Sequence, residues 1–222
     1  MKRIFSLTVC LLCCLFFSGC FEVIEEVTYT DNTKGNFKFT INLSQSKGKL
    51  KTLMSMDTFM GAKMPSQKEV KSEIAKVKAT LIASEGISDV KVSEDYENMI
   101  FKVECKFATT LALNSALNTI AVSVAKAKEG EFIHPYSKTE NSFSRVSIIS
   151  AALEAKLDKK HNSIGLIKAA NYTSIYRFSK TIKSISNKSA KISKDGKAVF
   201  LKHNLPSTIK NPEILNNEII LN

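Results

Sequence analysis

Polar and apolar residues alternate along the first folded segment, strictly so in its second half. Phe21, Val23, Val27 and Tyr29 alternate with polar residues, and Phe37, Phe39, Ile41 and Leu43 repeat at period two after the run Asp31, Asn32, Thr33, Lys34, Gly35. Period two marks a strand with one buried face, so this segment predicts a hairpin. Gly35 is expected to serve its loop by taking positive φ without steric cost. The stretch 44–65 is less regular, with Leu50, Leu53, Met54, Met56, Phe59, Met60 and Met64 between breaks at Gly48 and Gly61, and predicts a short helix. Next, Ser66 and Glu69 form a capping box behind Pro65. Val70, Ile74, Val77 and Leu81 make one apolar stripe, which predicts a helix over 66–84 closed by Gly86. A second hairpin follows: Ile87, Val90 and Val92 enter the turn at 93–98, and Ile100, Phe101, Val103, Cys105 and Phe107 leave it. Leu111, Leu113, Ala116, Leu117, Ile120 and Val124 predict a further helix over 110–126.

The second half is less regular. The stretch 132–142, with Pro135 and several polar residues, predicts a loop. Phe143, Val146, Ile148 and Ile149 predict a strand, and 151–168 a helix interrupted at His161. Tyr172, Ser174, Tyr176 and Phe178 alternate with their neighbours. Ile182, Ile185 and Ile192 precede an Asp195-Gly196 turn, from which Val199, Phe200 and Leu201 depart. Leu205-Pro206 and Asn211-Pro212 predict bends, and 219–221 a short edge strand. Hairpins separated by helices predict an α+β fold: an antiparallel sheet built from hairpins, with two or three helices packed on one face.

The chain opens with Lys2 and Arg3, an apolar run over 4–17, then Ser18, Gly19 and Cys20. The run falls short of the roughly 20 residues a spanning helix needs and fits a secretory leader. With Cys20 behind two small residues, the layout resembles a bacterial lipoprotein signal peptide. The resemblance implies that residues 1–19 are removed and that Cys20 becomes the lipid-bearing (palmitate) first residue. Residues 20–222 are then a single envelope domain anchored through Cys20. An ordinary secretory leader cut near Gly19 is the rival reading. Phe21 and Glu22 make no clear retention signal, which favours the outer membrane over the inner. The segment 20–43, with its strand, Asp-containing turn and aromatic strand, resembles a group of bacterial lipoproteins of unassigned function that includes those with LppM-like domains. So does 172–221, with its Asp195-Gly196 turn and Asn216-Asn217. That resemblance implies an α+β envelope domain and carries no active site.

Composition changes this picture in three ways. Losing residues 1–19 removes Lys2 and Arg3 and leaves a charge of +9, two below the +11 of the whole chain. A basic surface favours lipid headgroups, phosphorylated glycans or an acidic protein face; nucleic acid is the usual alternative, but an exported, lipid-anchored chain rarely meets it, so no nucleic-acid partner is expected. Outside the leader and Cys20 the one cysteine is Cys105, in a strand pattern that suits a small buried hydrophobe. His134, His161 and His203 have no partner at a metal-ligand spacing. Glu94, Asp95 and Glu97 lie in a turn, where solvated acids are ordinary, and no nucleophile elbow or phosphate loop is present. The expectation is therefore a non-enzymatic lipoprotein without cofactor that binds or scaffolds other envelope components. Its partners would be the membrane, through the lipid on Cys20, and an envelope protein or lipid. The alternative is a lipid or amphiphile carrier whose apolar cavity is gated by the Met-rich stretch 50–64, with Met54, Met56, Phe59 and Met60 touching the ligand.

Overall fold

The computed structural model describes residues 21–56, 58–59, 62–123, 132–133, 136–149 and 169–222. The predicted helix at 151–168 lies outside them, as do Cys20, Met60, His134 and His161. The hairpin pattern yields β1 (Glu22–Tyr29) and β2 (Gly35–Asn42), followed by α1 (Lys47–Met54) and a small ribbon of β3 (Thr58–Phe59) and β4 (Ala62–Lys63). The helix α2 (Gln67–Ala83) starts at the predicted capping box: Glu69 N–H donates to the Ser66 hydroxyl, and the Glu69 carboxylate accepts from the Ser66 backbone. Gly86 follows it at φ +73°. The second hairpin is β5 (Ile87–Asp95) and β6 (Ile100–Phe107), and α3 (Thr110–Ser123) comes next.

Beyond α3 the chain builds a second sheet. Its strands are β8 (Tyr136–Lys138), β9 (Ser142–Arg145), β12 (Ile182–Ile185) and β15 (Asn217–Leu221), in the order β12-β15-β9-β8. The short β7 (Phe132–Ile133) and β10 (Ile148–Ile149) pair with each other. The remaining strands, β11 (Asn171–Arg177), β13 (Lys191–Ile192) and β14 (Ala198–Asn204), complete a seven-stranded sheet of order β13-β14-β11-β1-β2-β6-β5. All its neighbours are antiparallel except β1 and β11, which run parallel. The α+β class and the mainly antiparallel pairing are as predicted.

Four local expectations are corrected. Pro135 suggested a loop over 132–142, yet Tyr136–Lys138 is a strand: the Asn114 side chain on α3 accepts from Tyr136 N–H at 3.2 Å and donates to its carbonyl at 2.8 Å, standing in for a missing strand neighbour. Leu205-Pro206 is no bend but the start of α4 (Leu205–Lys210): Pro206 falls in the first helical turn, where its missing N–H has no partner to lose. The 219–221 strand is interior, held by β12 on one side and β9 on the other. Gly35 has no positive φ. Glycine is required there because a Cβ would stand 2.3 Å from the Thr28 carbonyl oxygen and 2.5 Å from Phe107 Cζ.

One face of the large sheet carries the core. Val23, Glu25, Val27 and Tyr29 point inward from β1, as the alternation requires. One part of this face is covered by α2 and α3 through Leu81, Leu113 and Ala116. The rest is covered by the second sheet through Tyr136, Phe143, Ile219 and Leu221. Tyr29 sits where the two coverings meet. Its ring lies 5.5 Å from Phe107, 5.7 Å from Phe143 and 6.0 Å from Phe178. Such ring pairs contribute about 0.5–1.5 kcal/mol each beyond area burial. Gly35→Ala should therefore lose about 3 kcal/mol in urea unfolding, because the Thr28 carbonyl cannot retreat without breaking the β1–β2 ladder. An unchanged midpoint would show that the hairpin end yields freely.

Candidate functional site

Among the described residues, a buried cluster and one end of the large sheet each gather polar groups. The first is buried between the sheets. Glu25 shares the inward face of β1 with Val23 and Val27, and only 3% of it is exposed. In the parallel register Glu25 stands beside Ser174, so Tyr172 and Tyr176 flank it on β11. Both tyrosines use this placement: Tyr172 donates to Glu25 Oε2 at 2.5 Å and Tyr176 to Oε1 at 3.3 Å. From the opposing sheet comes Arg145, 4% exposed, with Nε 3.4 Å from Glu25 Oε1. Arg145 sits between Tyr136 on β8 and Asn217 on β15 in the ladder. Its Nη1 donates to the Ser147 hydroxyl, and Ser147 N–H donates to Asn216 Oδ1 at 2.6 Å.

The electrostatics of this cluster are self-contained. Burial, then the Glu25 charge, pushes Tyr136 and Tyr172 well above the usual phenol range. Tyr176 is raised first by burial as well, with Arg145 opposing the rise and the Glu25 charge adding to it. Burial opposes the charge on Arg145, but the Tyr176 and Glu25 oxygens outweigh it and hold the guanidinium more firmly protonated. The tyrosines therefore stay protonated, Tyr172 and Tyr176 as donors to Glu25, and the cluster acts as a buried clamp between the two sheets. Its sequence signal was present: Glu25 and Arg145 each occupy a position on an otherwise apolar strand face, beside Val23 and Val27 in one case and Phe143 in the other.

The second place is the end of the large sheet where the chain enters. Phe21 is already tied in, its carbonyl accepting from Asn171 N–H at 3.0 Å. The register puts Glu22 beside Asn42, Asn42 beside Ile100, and Ile100 beside Asp95. The β5–β6 turn and α1 are therefore at this same end, joined by a 2.9 Å bond from Leu43 N–H to the Met99 carbonyl. Met99 is buried and holds φ +57° in the turn. Asp95 accepts from Asn98 N–H and Nδ2, both at 2.8 Å, and Glu94 accepts from the Tyr96 hydroxyl at 2.6 Å. These acids order the turn. A surface cleft of about 310 Å³ lies here, lined by Lys51, Met54, Ser55, Gln67, Tyr96 and Met99.

The Met-rich stretch thus divides. Leu53 is buried and Met54 half-buried against the cleft, while Met56 is 45% exposed. Phe59 lies in β3 and Met60 lies outside the described residues. Under α2 and α3 the described core is occupied by Leu81, Leu113, Ala116 and Phe107. Cys105 is a buried member of that core, its thiol pushed up to about 11 by burial. His203 lies on β14 opposite Tyr172. Among the described residues no three of His, Cys, Asp and Glu stand together as a metal site, and no helix is long and apolar enough to cross a membrane.

Removing one partner of a buried ion pair strands the other and costs about 3–5 kcal/mol, whereas replacing both by apolar groups is near neutral. Glu25→Ala should lose stability in that range by urea unfolding, and Glu25→Leu with Arg145→Met should recover most of it. A single variant as stable as the parent would show that the clamp does not hold the sheets. All five tyrosines have raised phenol values, Tyr29 and Tyr96 to about 12. A folded value above the unfolded one gives stability that is complete below about pH 10 and lost as pH rises past it. Tyrosine absorbance should therefore lag beyond pH 10 and then rise together with loss of secondary structure. Ionisation at the ordinary value with the fold intact would contradict the burial described.

No family model and no curated protein sequence matches the chain. Among solved structures the chain is similar to the folded domain of the Mycobacterium tuberculosis LppM protein, determined by NMR. The TM-score is 0.44 and the identity 10%, over 92% of each chain. That distance identifies no family.

Proposed function

We propose that this protein is a membrane-anchored lipoprotein of the cell envelope, held through lipid on Cys20, whose domain binds or scaffolds other envelope components without catalysing a reaction. The observation that carries this reading is how soon the fold begins. Glu22 opens β1 two residues after Cys20, and Phe21 is already bonded to Asn171. A Cys20 anchor would have almost no linker, so the domain would work pressed against the bilayer. A single acyl chain holds only marginally, and the two or three chains of a lipoprotein make attachment lasting. The lipobox-like run Ser18-Gly19-Cys20 supports the anchor. In the buried cluster, carboxylate, guanidinium and phenols are engaged with one another, which supports a structural role there and a binding role for the outer surface.

Cys20→Ser should leave the leader uncleaved or release the protein to the soluble fraction, with loss of metabolic labelling by an alkyne fatty acid. Membrane partitioning and labelling equal to the parent would overturn the anchor.

A further inference from the structure

We infer that the outer face of the β1-β2-β6-β5 half of the large sheet pairs with the same face of a second copy of this chain, anchored in the same membrane. This inference takes its setting from the anchored reading above. The ladders place four charged residues in one row. Glu26 on β1 stands beside Lys38 on β2, Lys38 beside Glu104 on β6, and Glu104 beside Lys91 on β5. All four line one surface cleft of about 300 Å³, so they share a face. The Lys38 and Glu104 side chains are 41% and 44% exposed, and Lys91 is exposed. The signs across this face run negative, positive, negative, positive, and such a row is its own complement when reversed. A two-fold axis parallel to the strands presents it reversed: Glu26 meets Lys91 of the second copy, and Lys38 meets Glu104. Each contact then occurs twice, as a self-complementary interface requires. A two-fold axis across the strands leaves the row unreversed and sets every charge against its like. The anchor selects the same axis on its own. Cys20 lies just before β1, so an axis along the strands keeps both anchors at one end, where both enter one bilayer. The crosswise axis would send them to opposite ends.

The other charged groups of this face fit the same axis. In the reversed arrangement Lys106 lies over Asn36 and Lys102 over Thr40. Asp89, 2.6 Å from Lys106 of its own copy, lies over the strand position of Thr28, beside Arg177. Glu22 and Asp95 are the one like-charged couple. They fall in the end row, where the twist of facing sheets spreads the copies apart, and Lys202 stands 3.1 Å from Glu22. Each exposed ion pair strengthens a contact by at most about fivefold, so the four give no more than several hundredfold. That is a weak pair in free solution. Two copies held in one bilayer meet at a far higher effective concentration, which is where the pairing acts. Salt should weaken it, as it screens charges on exposed side chains.

The test uses the full chain recovered from membranes, its intact mass recorded. Copies with ordinary and with heavy nitrogen are mixed in phosphatidylcholine vesicles and treated with a water-soluble carbodiimide, which joins a carboxylate to an amine in direct contact. Within one copy Glu26 and Lys91 stand three strand spacings apart, about 14 Å, too far to be joined. A Glu26–Lys91 product of mixed label is therefore expected, and it should fade as salt is raised. Lys38→Glu and Glu104→Lys should each lower that product at least about tenfold when reconstituted alone, because each sets like charges against one another across the two-fold axis. Mixing the two variants should restore it, since every position then meets the opposite sign. Both variants break the same Lys38–Glu104 pair within a copy, so damage to the fold would not be mended by mixing. No mixed-label product from the parent, a product joining Asp89 to Lys91 along the sheet edge in its place, or a mixture no better than either variant would overturn the pairing face. A mass without lipid would refute the anchor separately. The pairing would then stand or fall on the same products from the concentrated, unlipidated chain.

Discussion

A carboxylate on the apolar face of a central strand is the constraint from which the rest of the structure follows. Glu25 cannot reach water from the inward side of β1. A charge stranded there would cost about 3–5 kcal/mol, a large share of a domain's stability margin. It is accommodated because β11 runs parallel beside β1 and brings two tyrosines to its oxygens, while β9 carries Arg145 across from the second sheet. The partners come from three separate stretches of the chain, near residues 25, 145 and 172–176. The cluster can therefore exist only when both sheets are complete and face to face. Aromatic packing around Tyr29, Phe143 and Tyr176 provides the bulk of the contact, and the ion pair fixes its register. A slip of one residue in β1 or β9 would turn Glu25 or Arg145 outward and place a neighbour in its stead.

The same strand links this core to the proposed role. β1 bears the buried carboxylate at its middle and receives the chain at its start, beside α1 and the β5–β6 turn. A load applied at the anchor would pass straight into the centre of the seven-stranded sheet, not into a loose tail. The inward face is committed to packing, so on the proposed reading binding would fall to the ends and the outer face of the sheet.

Much of this architecture was legible in the sequence because its signals are local. Period-two alternation placed both hairpins. Ser66 and Glu69 placed the start of α2, and Asp195-Gly196 placed the turn before β14, with Gly196 at φ +69°. The second sheet was legible only as separate strands and not as an assembly, because those strands are short and come from three distant stretches. The partner of β8 on one side is a side chain of α3, and nothing in the local sequence of 136–138 announces it. Gly35 misled because its conformation is ordinary: what forbids a side chain there is the Thr28 carbonyl across the hairpin, with the Phe107 ring opposite it in the ladder closing the remaining space. The buried clamp was visible only in outline. Glu25 and Arg145 broke the apolar pattern of their strands, but alternation alone could not tell that the two breaks face each other. The methionines show the converse case, since spacing grouped Met54 and Met56 while the helix end separates them, one against the cleft and one toward solvent.

The mass of the N-terminal peptide of the protein recovered from its native membrane tests the central claim most directly. The account predicts a chain that starts at Cys20 and carries two or three acyl chains. A chain that keeps residues 1–19, or that starts near residue 20 with a free thiol and amine, would contradict it.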